Sequence, residues 1–202
     1  MKKFAVHAGL AMVAAVMLLS GCTGTQIHVN PDPASMQLPP ATRKCGTVAV
    51  RELTPTRIYA PAGNPTADFA RELVQSGMFD TVYYPSRADD KADITLEGKF
   101  DVGFEPHMGA NMAKSFVVGF SLFLLEPVFW YDYGYDLQGR VDIYGEKQLI
   151  RSVDATSHGE MSMKFLSLAE VTDLEQETLD AAKRSLYRQL LVKIGDYCGS
   201  RK

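Results

Sequence analysis

From Asp93 to Glu105 the chain alternates. Ile94, Leu96, Phe100, Val102 and Phe104 fall on one face of an extended strand, and Thr95, Glu97, Lys99, Asp101 and Gly103 on the other. Period two over this length means a strand with one face buried and one face wet. Tyr131 to Tyr144 repeats the pattern through Tyr131, Tyr133, Tyr135, Leu137, Val141 and Ile143. Tyr144-Gly145-Glu146-Lys147 then offers a turn, and a partner strand is expected from Gln148 to about Thr156.

The remaining elements are shorter or lie at the end of the chain. Val48, Ala49 and Val50 form an apolar run of strand type. Asn64 stands as an N-cap before Pro65, Gly77 closes the segment, and Phe69, Ala70, Leu73 and Val74 share one face between them, which predicts a helix. Phe79, Val82, Tyr83 and Tyr84, ended by Pro85, suggest a second strand. A final helix is announced by the capping box of Ser167 and Glu170, with Asp173, Glu175 and Glu177 near its positive end. Val171, Leu174, Leu179, Ala182, Leu186, Leu190 and Ile194 form its apolar stripe, and Gly195 is expected to end it. The order predicts an α+β fold: a single mostly antiparallel sheet of about five strands backed by two helices, with an inserted hydrophobic segment.

That segment separates the two long strands. Ser115 to Leu125 carries no charge and includes Phe116, Phe120 and Phe123; Glu126-Pro127 and then Val128-Phe129-Trp130 follow. Eleven residues are too few to cross a bilayer. Three readings remain open, with core packing the leading expectation: a buried helix, a docking element for a partner or sister subunit, or an aromatic-rich contact with a membrane surface. Against the first, a helix apolar all round needs cover on every side. Phe116, Phe120, Phe123, Phe129 and Trp130 are the candidate contact residues.

With 202 residues, 46% hydrophobic and 22% charged, the chain has enough apolar matter for a core. A net charge of −3 argues against nucleic acid, whose phosphates call for a basic face. Lys2 and Lys3 precede an uncharged run from Phe4, and the run ends in Leu19, Ser20, Gly21 and Cys22. A basic start, an apolar stretch and small residues before a cut site make a secretory signal. Leu19-Ser20-Gly21-Cys22 resembles the bacterial lipobox. The resemblance implies cleavage before Cys22, diacylglycerol on its thiol and an acyl chain such as palmitate on its amine. The competing readings are an ordinary signal peptide or an uncleaved transmembrane helix. By the same resemblance, Thr23 in place of an aspartate points to the outer membrane, with the periplasmic face as the expected location. Loss of Lys2 and Lys3 leaves 19 basic against 24 acidic residues, formally −5.

Residues 1–21 are thus read as signal peptide, 22–44 as lipidated cysteine and flexible tether, and 45–202 as an α+β periplasmic domain. The tether reading rests on Pro31, Pro33, Pro39 and Pro40 in a polar stretch. With Cys22 on lipid, Cys45 and Cys198 remain in an oxidising compartment, one before the first strand and one after the last helix. A bridge between them would close a loop of about 150 residues and stabilise by about 5 kcal/mol in the chain-entropy account; two separate thiols are the alternative.

Catalytic signatures are absent from the sequence. Past the signal only His28, His107 and His158 occur, none at metal-ligand spacing, and Gly119-Phe120-Ser121 lacks the second glycine of a nucleophile elbow. Asp89, Asp90 and Asp93 around Lys91 read as a solvated turn rather than a calcium loop. No catalytic residue, metal or cofactor is expected beyond the covalent lipid.

Val48-Ala49-Val50, the helix ending at Ser76-Gly77-Met78-Phe79, the strand at Val82, and Ala92-Asp93-Ile94-Thr95-Leu96-Glu97-Gly98 together resemble a small α/β domain of bacterial envelope proteins. It occurs in the curli-secretion lipoprotein, the lipoprotein activator of penicillin-binding proteins and the amino-terminal domain of the Tol-system periplasmic protein. The resemblance covers about a third of the chain and ends at Met112, where the uncharged insertion begins. It implies a protein-binding or envelope-assembly role. The expected function is therefore a lipid-anchored accessory or assembly factor that binds a protein partner or forms a homo-oligomer. An envelope hydrolase or ligand carrier is the alternative.

Overall fold

The computed structural model describes residues 24–38, 45–57, 63–87, 89–164 and 171–200. The strands are β1 (Thr25–Asn30), β2 (Thr47–Arg57), β3 (Thr81–Tyr83), β4 (Ile94–Glu105), β5 (Tyr131–Gly145) and β6 (Gln148–Met163). The helices are α1 (Pro65–Ser76), α2 (Met108–Phe120) and α3 (Val171–Ser200). All six strands join one sheet in the order β1-β6-β5-β4-β2-β3. β1 with β6, β6 with β5, and β5 with β4 are antiparallel, while β2 is parallel to both β4 and β3. The α+β class is as expected; among the described residues the sheet is mixed and has six strands, and there are three α-helices.

The alternation read along β4 and β5 becomes a covered face and an open face. Leu96, Phe100, Tyr135, Leu137, Val141 and Ile143 are buried against α1 and α3. Two inner-face glycines allow α3 to come close. A Cβ on Gly139 would lie 3.2 Å from Leu186, and one on Gly159 would lie 3.1 Å from Ala182. α1 begins and ends as its sequence dictates: the Asn64 side chain accepts from the Ala67 amide, and Gly77 takes a left-handed cap with φ 64°. Phe69, Ala70 and Leu73 are buried, but Val74, assigned to the same face, is 61% exposed. Lys183 of α3 reaches back to pair with Asp68 of α1 at 3.2 Å.

Two expectations are corrected. Thr25–Asn30, placed in the tether, is an edge strand on β6, with Ile27 and Val29 packed against the core. Beyond it, Ser185 of α3 donates to the Pro31 carbonyl at 2.6 Å. The chain is therefore held to the domain from residue 25, not from residue 45, because β6 runs seven residues past Thr156 and offers that stretch of edge a partner. Gly195 does not end α3. The helix continues to Ser200, since Tyr197 is buried and Cys198 is bonded to Cys45, with Cα atoms 5.5 Å apart. The capping box of Ser167 and Glu170, like Leu19, Ser20, Gly21 and Cys22, lies outside the described residues.

Candidate functional site

α2 hangs from the end of the sheet, not from its face. β4 delivers the chain to it through Pro106 and His107, and β5 receives the chain at Tyr131, opposite Met163 of β6 and beside the start of β1. Polar groups hold it there. Asn111, buried, donates from Nδ2 to the carbonyls of Pro106 (2.9 Å) and Asp132 (2.8 Å), and its Oδ1 accepts from the Asp132 amide at 3.2 Å. Lys114 Nζ donates to the Trp130 carbonyl at 2.5 Å and pairs with the Asp132 carboxylate at 2.8 Å. Ser162 of β6 donates to the other Asp132 oxygen at 2.7 Å. Burial pushes the Asp132 carboxyl up, but hydrogen bonds from Lys114 and Ser162 and the charges of Lys114 and His107 together outweigh it and leave the group below its ordinary range.

The outward side of α2 and the turn after it are apolar. Ten of the fifteen large exposed hydrophobic residues among the described residues lie between Met108 and Val128. Phe120 is 87% exposed, Leu122 81% and Leu124 71%. Within α2 only Asn111 and Val118 are buried. Core packing, the leading expectation for this segment, is thus overturned. The physical reason is placement: α1 and α3 already cover the inner face of the sheet, so α2 at the sheet's end buries Val118 as its one apolar residue. The usual polarity of an amphipathic helix is inverted here, polar toward the domain and apolar toward the outside. Phe116, Phe120 and Phe123 share this exposed element, while Phe129 and Trp130 are half-buried where it rejoins β5.

Trp130 also meets the start of the described chain. A Cβ built on Gly24 would lie 2.3 Å from Cη2 of the indole, so only a residue without a side chain fits against this ring. Lys164 Nζ lies 5.6 Å from the ring centroid, at cation–π distance. The contact with Gly24 and the Asn111, Lys114 and Asp132 clamp were not anticipated from sequence. Lys114, the one charge in α2, was the visible signal.

His107, at the start of α2, and His158 of β6 meet beside Gly134 of β5. Strand register sets Asp136 opposite His158, whose Nδ1 lies 2.8 Å from the Asp136 carboxylate. Among the described residues no group of three or more His, Cys, Asp or Glu is arranged to hold a metal.

No family model matches the chain, and no curated protein does. Among solved structures, the chain is similar to a PelC dodecamer from Paraburkholderia phytofirmans, at 12% identity over 85% of this chain and 99% of that one, with a TM-score of 0.40. It is also similar to a minor lipoprotein from Acinetobacter baumannii, at 10% identity over 76% and 90%, with a TM-score of 0.39. A protein from Xanthomonas campestris matches at 11% identity over 83% and 97%, with a TM-score of 0.38.

Proposed function

We propose that the chain is an accessory or assembly factor of the bacterial envelope, held by acylated Cys22 on the periplasmic face of the outer membrane and working by binding a protein partner. The observation that carries the binding role is the shape of β6. Its residues 158–163 pair with β1, whereas residues 148–157 run on past the end of β1 and pair with β5 alone. Lys193 and Gln189 of α3 already donate to the carbonyls of Asp154 and Thr156, so the open stretch is residues 148–153, whose backbone donors and acceptors can add a strand from another chain. Leu149 and Ile150 are exposed there. At about 3.4 Å per residue, the tip of the β5–β6 hairpin stands at most about 50 Å from Trp130, which precedes β5.

A photo-crosslinking residue at Leu149 in intact cells tests the reading. The expected result is a discrete crosslinked species containing a second envelope protein, or a second copy of this chain if it assembles as a ring. No adduct at Leu149 or at Ile150 would end the partner reading. Size measurement in detergent separates the two outcomes.

The alternative, an envelope hydrolase or ligand carrier, draws on the His158 and Asp136 pair. Under that reading His158→Ala abolishes function while leaving crosslinking intact; under the leading reading it leaves function unchanged.

A further inference from the structure

We infer that α2 and the turn after it lie in the headgroup and acyl boundary of a lipid bilayer, in the same leaflet that receives the lipid on Cys22. The inference rests on the anchor reading for its choice of leaflet, but its main support is geometric. Gly24 packs on the Trp130 ring. Two residues reach at most about 7 Å, so residue 22 cannot leave the neighbourhood of the apolar element. Acyl chains attached there enter the bilayer beside Phe116, Phe120 and Leu122, all exposed.

The chemistry of the surface fits lipid. Ser115 to Leu125 bears no charge, and two cations meet Trp130, Lys114 on its carbonyl and Lys164 over its ring. An indole with ammonium groups beside it, next to an exposed apolar element, has the composition of a membrane interface. α2 has 13 residues, about 20 Å of helix, too short to span a bilayer but long enough to lie in its surface. No described helix is long and apolar enough to cross a membrane. With only Lys114 and Lys164 near the element, and Lys114 paired with Asp132, the contact is chiefly apolar and depends weakly on anionic lipid and salt.

The chain contains one tryptophan, so its fluorescence reports on position 130 alone. The full chain, expressed with its leader, is reconstituted in phosphatidylcholine vesicles with and without brominated acyl chains, and the acylation state of Cys22 is read by mass. The expected result is blue-shifted Trp130 emission that brominated lipid quenches by about twofold or more. In a variant with Phe116→Asp and Phe120→Asp, quenching falls clearly below that of the wild type, the acyl chains on residue 22 alone still holding Trp130 near the surface, while the fold, followed by circular dichroism, persists, because both side chains are exposed. Emission that stays open to an aqueous quencher in vesicles, with Cys22 acylated, overturns the inference. So does a stable oligomer in which Trp130 is shielded from brominated lipid and which the double variant dissociates, since a second copy then covers the face. Quenching without acyl mass on Cys22 leaves the inference standing and removes the anchor reading alone.

Discussion

Asn111 and Asp132 are joined twice, by Asn111 Nδ2 donating to the Asp132 carbonyl at 2.8 Å and by the Asp132 amide donating to Asn111 Oδ1 at 3.2 Å. An amide side chain that satisfies both backbone groups of one residue acts as a missing strand would. It locks α2 to the sheet together with the Lys114–Asp132 pair, because α2 buries only Val118 among its apolar residues. Asn111→Ala is expected to lower global stability by about 1 to 2 kcal/mol. Amide exchange should speed up throughout α2 far more than in β5 or α3; uniform acceleration across the fold would contradict this role.

Acid should loosen the same lock. Asp132 has a carboxyl below its ordinary value of 3.8 in the folded chain. The stability it lends is fully present above that value and is lost as pH falls through the lower, folded one. Trp130 emission, which follows the seating of α2 through Lys114, should therefore change as pH drops below about 4. In Asp132→Asn it should show no such step.

Cys45 and Cys198 close a loop with a sequence separation of 153, tying the start of β2 to the last turn of α3. Cys198→Ser is expected to reduce the free energy of unfolding by about 3 to 5 kcal/mol. Wild type under reducing conditions should fall to the same midpoint. A mutant that melts with the oxidised wild type would exclude a stabilising bridge.

Gly159→Val tests the close approach of α3. A Cβ at that position already meets Ala182 at 3.1 Å and Thr178 at 3.2 Å, both on the packed side of the helix. Overpacking there should cost about 1 to 3 kcal/mol. Gly109→Val, where a Cβ meets nothing within 4 Å, is the control and should leave the sheet and α3 unaffected.

The parts of the fold that were legible in the sequence are those where local pattern and tertiary demand agree. β4 and β5 alternate because one face is covered, and α1 carries its own caps in Asn64 and Gly77. β1 escaped notice because only Ile27 and Val29 mark it, among prolines, and its stability comes from the edge of β6 that it joins. The extension of α3 past Gly195 depends on a disulfide and on the burial of Tyr197, neither of which is a local signal. For α2 the residues pointed to the right place and the wrong surroundings. Hydrophobicity says that Phe116 and Phe120 leave water, not what receives them, and that depends on which faces of the sheet other helices have already taken.

β1 leads from the first described residue directly into the sheet, and this sets how load passes through the molecule. Bonds in an antiparallel ladder stand perpendicular to the strands. A pull on the amino-terminal end of β1 therefore loads the pairings from Thr25 with Met163 to Asn30 with His158 together, not one after another. The domain would respond to such a pull as a rigid post does, passing tension and orientation to the hairpin tip, where a loose leash would dissipate both.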